Sequence, residues 1–203
     1  MARKSFDSGV LLPPLIYTNI TNPPTVTGIS AGCTKSSSVI SVPNYEDTLG
    51  QYQNSTLDAL DSVLTQLHTA GIKAIISPHD ANNLPPSGSN TGYNGIDIYG
   101  KTYTSSDNFY SSADAKAKYD ARLASILNYR SKAFGKAWKD ASEVILAFDI
   151  QNEPMIASAD KAKNNDPDDW ICGRAGNMKK ILGNSVGPPP FLPTPVRFLE
   201  YFV

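Results

Sequence analysis

From Asn54 onward the chain repeats apolar residues at helical spacing: Leu57, Leu60, Leu64 and Leu67 form one stripe. The pattern predicts an amphipathic helix, with Ser55 and Asp58 as a capping pair at its start and Gly71 as its stop. The short apolar run Ile72 to Ser77, ended by Pro78, then predicts a buried strand. Ala115, Tyr119, Leu123, Ile126 and Leu127 mark a second helix from about Ser112 to Asn128, and Phe134 and Trp138 mark a shorter helical piece. Val144 to Ile150 is almost wholly apolar and reads as a central strand buried on both faces. Trp170, Ile171, Met178, Ile181 and Leu182 predict a last helix capped by Asp168. Helix, glycine turn and strand in succession are the grammar of an α/β protein.

Three stretches fall outside that grammar. Residues 1–44 are poorly defined, broken by Pro13, Pro14, Pro23 and Pro24, with short β-branched runs between them. Residues 81–112 read as a loop far longer than the usual ~4–6 residues. It carries Tyr93, Tyr99, Tyr103, Phe109 and Tyr110, and these aromatics favour an ordered, functional loop. Residues 184–203 form a Pro-rich irregular tail. One domain over 45–183 follows, with no internal repeat.

Charge removes several classes of partner. Eighteen Lys and Arg against 19 Asp and Glu leave a formal net charge of −1 with no basic run, so no nucleic-acid or membrane partner is expected. No apolar stretch approaches the ~20 residues of a membrane span. The N-terminus lacks a clean signal peptide. Cys33 and Cys172 lack metal-motif spacing, and a disulfide and two separate thiols are both compatible with the sequence.

The most informative chemistry is Gln151-Asn152-Glu153-Pro154, at the end of the best strand. Active sites of parallel α/β folds lie at strand C-termini. A Glu there suits proton transfer, since low-dielectric surroundings favour its protonated form. Asn152 offers both a donor and an acceptor to a hydroxyl. Ser77-Pro78-His79-Asp80 ends the previous strand, so His79 and Glu153 are expected over one mouth. His68 lies mid-helix and reads as surface. No metal site or cofactor is expected: a second His at ligand spacing is missing, and so are P-loop and dinucleotide motifs.

These segments resemble a known family. "VILAFDIQNEPMIAS" is similar to the fourth barrel strand of glycoside hydrolase family 5, and "LDALDSVLTQLHTAGIKAIISPHDANN" to its second helix and third strand. The resemblance spans roughly Tyr45 to Leu182 and looks like fungal enzymes acting on β-mannan or β-glucan. It implies a (β/α)8 TIM-type barrel, incomplete, of which this chain holds about the first half. It implies a retaining mechanism with Glu153 as acid/base and Asn152 on the sugar 2-hydroxyl. His79 would line the −1 subsite and help hold the catalytic groups, and Tyr103 and Trp170 would offer faces to pyranose rings. The partner implied is a polysaccharide or oligosaccharide, the parent enzyme secreted, the chain a monomer.

The departures are equally specific. The family's nucleophile Glu on strand seven has no counterpart, nor do its strand-two Arg, its later His-x-Tyr or its strand-eight Trp. The first 30 residues do not look like barrel strands. A non-catalytic carbohydrate-binding pseudoenzyme or fragment is therefore the alternative, and a protein-interaction module a third class. Mannan against glucan and endo against exo stay open at this point.

Overall fold

A computed structural model of the 203-residue chain describes residues 15–19, 43–93, 95–154, 166 and 168–183, with side chains from residue 43 onward. The Leu stripe forms helix α1 (Asn54–Thr69), burying Leu57, Leu60, Leu64 and Leu67. Its end is a Schellman turn: Gly71 at φ 70° donates to His68 O, and Ile72 donates back to Leu67 O. The turn feeds strand β2 (Lys73–Ser77) directly. Strand β3 (Ile145–Phe148) runs parallel to β2, with Ala74 opposite Ile145 and a bulge before Ile75. Both C-terminal ends therefore face the same side.

Strand β1 (Leu15–Asn19) completes a parallel sheet of order β1-β2-β3, with Leu15 opposite Lys73 and Asn19 opposite Ser77. It corrects the expectation that the first 30 residues supply no barrel strand. The β-branched and aromatic run after Pro14 is long enough for one strand, and Pro is tolerated just before a strand begins. The sheet also corrects the reading of β3 as buried on both faces. Among the described residues β3 pairs only with β2, and Leu146 and Ala147 are half-buried.

The long segment after β2 is not a loop throughout. It contains a 3-10 turn (Ala81–Asn83) and two short helices, α2 (Ile98–Tyr103) and α3 (Ser106–Ser111). Asp97 caps α2 through Gly100 N, and Ser105 caps α3 through Asn108 N. Helix α4 (Ala113–Leu127) follows, capped by Ser112, and buries the predicted stripe together with Arg122. Helix α5 (Trp170–Leu182) packs on α4 through Trp170 and through Arg174 and Asn177, whose side chains both reach Asp120.

Three local expectations fail. Ser55 and Asp58 do not cap α1: the N-cap is Gln53, without a side-chain bond, and Asp58 instead accepts from Tyr129 Oη and Lys132 Nζ. Asp168 does not cap α5. Asp169 holds the N-cap position and the Asp166 carboxylate takes the Ile171 N–H. Phe134 and Trp138 share no helix. Arg130 and Ala137 form an isolated antiparallel bridge, and Trp138 opens a 3-10 turn (Trp138–Asp140). That region is organised by Asp61, which accepts from Ser131 Oγ, Lys132 N, Ala133 N and Trp138 Nε1. Four donors satisfy a carboxylate that is only 3% exposed.

Candidate active site

The ends of β2 and β3 stay laced together beyond the strands. Asn152 N donates to His79 O (2.8 Å) and Ala81 N to Asn152 O (3.0 Å), so Asp80 and Asn152 form a parallel bridge. This lacing fixes Asn152 and Glu153 at the C-terminal mouth of the sheet, where a barrel enzyme carries its chemistry. Glu153 is exposed and adopts φ 51°, a left-handed backbone that non-glycine residues rarely hold without a reason. Its exposure is a correction, because the low-dielectric surroundings expected around it are not supplied by the described residues. Asn152 is half-buried beside it.

His79 does not line this mouth. The ring is wholly buried and both nitrogens are engaged: Nε2 with Asp97 Oδ2 (2.6 Å) and Nδ1 with Gln151 Nε2 (2.8 Å). Tyr99 and Tyr119 meet the ring edge-on and Phe109 stacks on it. Tyr110 Oη then donates to Gln151 Oε1 (2.8 Å), and Tyr119 Oη to Ile150 O (2.6 Å). The expected sugar contact of His79 is thus replaced by a structural one. It anchors the residue two places before Glu153.

Asp97 closes this chain from below. Burial pushes its carboxyl up, but the charge and hydrogen bond of His79, the Gly100 N–H and the Arg122 charge outweigh that and hold it below the usual range.

The loop aromatics are likewise spent on packing. Trp170 is fully buried among Phe109, Tyr110 and Tyr119, so it offers no face to a pyranose ring. Tyr103 is half-buried, stacks on Tyr99 and donates to Asp114 Oδ2. Of the loop tyrosines only Tyr93 is largely open, at 89% exposure. A loop this rich in aromatics inside an α/β pattern signals either a sugar platform or a second core, and here it builds the core beneath the site.

Two site residues escape a sequence reading. Asn82 Nδ2 donates to Glu153 Oε2 (2.6 Å) and to Asp80 Oδ1 (2.9 Å). Arg122, on the buried face of α4, pairs with Glu46 and donates from Nε to Pro78 O. Its place between Tyr119 and Ile126 in an apolar stripe is the signal that could have found it. Asn82 has no such signal. Among the described residues no cluster of His, Cys, Asp and Glu suits a metal ion, and no helix is long and apolar enough to cross a membrane. Cys172 is exposed, while Cys33 and the Pro-rich tail lie outside the described residues.

No protein-family model matches the chain. A mannan endo-1,4-β-mannosidase of Oryza sativa subsp. japonica is 29% identical over 136 residues, 66% of this chain. The chain spans about a third of that relative's length, 30%. The fold matches an endo-1,4-β-mannanase of Rhizomucor miehei with TM-score 0.56 and 19% identity, over 83% of this chain and 45% of that one. It also matches an endo-β-1,4-mannanase of Thermotoga petrophila with TM-score 0.53 and 14% identity, over 82% of this chain and 33% of that one. A family 5 mannosidase of R. miehei follows at TM-score 0.51 and 14% identity, over 83% and 40%. In sequence the chain is thus similar to part of a mannan endo-1,4-β-mannosidase, and in fold it is an α/β chain similar to part of the barrel of glycoside hydrolase family 5 mannanases.

Proposed function

We propose that the protein acts as a glycoside hydrolase on β-1,4-mannan, with Glu153 as the acid/base of a retaining mechanism. The observation that carries the reading is the exposed Asn152-Glu153 pair, pinned at the C-terminal mouth of β3 by backbone bonds to the end of β2. The likeness to a rice mannan endo-1,4-β-mannosidase supports mannan over glucan. In the first step Glu153 gives its proton to the leaving glycosidic oxygen while a carboxylate nucleophile bonds to the anomeric carbon. In the second, Glu153 takes a proton from water as that water displaces the enzyme carboxylate. Asn152 holds the 2-hydroxyl.

The nucleophile has no candidate among the described residues. A retaining pair faces the anomeric carbon from opposite sides, about 5–5.5 Å apart. Asp80 shares the Asn82 amide with Glu153, but it is buried on the neighbouring strand end. Its Oδ1 takes both the backbone N–H and the side-chain amide of Asn82. Asp97 is committed to His79.

Two outcomes follow for this chain by itself. Titration with β-1,4-mannopentaose is expected to move the backbone amide resonances of Asn152 and Glu153. Affinity should exceed that for cellopentaose by about fivefold, one hydrogen bond's worth. Reducing-end release from β-mannan is expected at background level. Absence of any shift at Asn152 and Glu153 refutes the site. Tighter binding of cellopentaose refutes the substrate. Release abolished by Glu153→Gln shows that a nucleophile is present after all.

A further inference from the structure

The turn after β2 does more than connect. Asp80 begins it by accepting the backbone N–H of Asn82 at 2.9 Å, which swings the Asn82 side chain back across the mouth of the sheet. The side-chain nitrogen then sits 2.9 Å from Asp80 Oδ1 and 2.6 Å from Glu153 Oε2. An amide nitrogen carries two hydrogens and accepts nothing, so each hydrogen is spent on a different carboxylate. Both bonds are charge-assisted and directional.

The turn cannot recoil from this position. Behind it, Gly92 approaches so closely that a Cβ would lie 2.8 Å from Asn82 O and 3.1 Å from Asn83 C. A Cβ on Gly100 would lie 2.9 Å from Asn83 O. Asp80 in front is itself bridged to Asn152, the residue before Glu153. Donor and acceptor are thus carried on one laced piece of backbone. Glu153, by contrast, is exposed and on a left-handed φ, and among the described residues Asn82 is the side chain seen to hold its carboxylate.

We propose that Asn82 is the positioning residue for Glu153: it occupies Oε2 and so presents Oε1 to the glycosidic oxygen as the one oxygen that gives and takes the proton. The inference rests on the reading of Glu153 as acid/base. A retaining enzyme uses the same carboxyl twice, first as donor and then as acceptor. A fixed donor on Oε2 keeps both transfers on one oxygen and removes the search among rotamers that an exposed Glu otherwise makes.

The test uses the free chain in solution, so it does not depend on turnover. In the wild type, side-chain couplings of Glu153 are expected to report a single rotamer. The two Asn82 amide protons should be well separated, and one of them should move upfield in Glu153→Ala. In Asn82→Ala the Glu153 couplings should average, while the backbone amides of His79 and Asn152 stay in place and report intact strand ends. Asn82→Asp, which keeps the size but loses the donor, should average them too. Affinity for mannopentaose should change by no more than about twofold in Asn82→Ala, as expected for a residue that acts through another. Averaged couplings in the wild type, or a single rotamer retained in both Asn82 variants, overturn the proposal. Failure of mannopentaose to bind while the couplings behave as described counts against the mannan reading and leaves the clamp standing.

Discussion

Replacing Arg122 by alanine is expected to cost ~3–5 kcal/mol of stability, the range for breaking a buried ion pair by removing one partner. Its side chain is 3% exposed and that of its partner Glu46 is 0% exposed, with Nη1 and Oε2 2.9 Å apart. Arg122 Nε also donates to Pro78 O, next to His79, and the guanidinium lies over the Tyr45 ring at 5.0 Å. Without it, the Glu46 carboxylate keeps Gly50 N as a donor but loses its counter-charge, and a carbonyl at the end of β2 loses its donor. Urea denaturation followed by circular dichroism measures the loss. A double variant, Arg122→Met with Glu46→Leu, is expected to recover most of it, because a well-packed apolar pair has no desolvation to repay. A loss under about 1 kcal/mol for Arg122→Ala would place the pair among ordinary surface ion pairs.

The second large effect belongs to His79→Ala, at ~3 kcal/mol near neutral pH, from two buried hydrogen bonds lost at once and the cavity left by the ring. Asp97 Oδ2 and Gln151 Nε2 each lose the bond to the ring, while Gly100 N still donates to Asp97 Oδ1 and Tyr110 Oη to Gln151 Oε1, and a cavity opens among Tyr99, Phe109 and Tyr119. The effect also has a pH signature. Asp97 is held below its ordinary value in the folded protein. A lowered carboxyl contributes stability that is fully present above its unfolded value, ~3.9, and lost as pH falls through the folded value. The gap between wild type and His79→Ala should therefore narrow as pH is lowered from 5 towards 2. Thermal midpoints collected across that range check it, and a gap that stays constant would mean that Asp97 owes nothing to His79.

These two residues show where sequence reading reached and where it stopped. The Leu stripe of α1, the Gly71 stop, β2 and β3 were legible because period, glycine and strand length are properties of the local chain. The position of Glu153 near a strand end was legible for the same reason, although β3 stops at Phe148, five residues before it. The place of His79 at a strand end was legible but its burial away from the subsite was not, since which way a strand-end side chain points depends on what the next segment brings to it. Here α2 and α3 bring Asp97, Tyr99 and Phe109, residues far from Glu153 in sequence. Asp61 and Arg122 are charged residues inside apolar stripes, four after Leu57 and three after Tyr119, and that placement already marks them as buried and partnered. Ser55 and Asp58 have the form of a cap, yet Tyr129 and Lys132 claim Asp58 from across the fold. A motif of four residues cannot anticipate such competition.

Strand β2 lies between two partners that are both remote along the chain: Lys73 pairs back to Leu15 and Ala74 forward to Ile145. Each pairing closes a long loop before any ladder bond compensates for the lost chain entropy. Helix α1 and β2, joined by one glycine turn, can associate early and locally. The sheet itself waits for two distant arrivals, and until they come β2 stands with both edges open. Refolding of this chain should accordingly run on the slow, sheet-limited end of the single-domain scale, and its most aggregation-prone moment falls between formation of the α1–β2 hairpin and capture of β3.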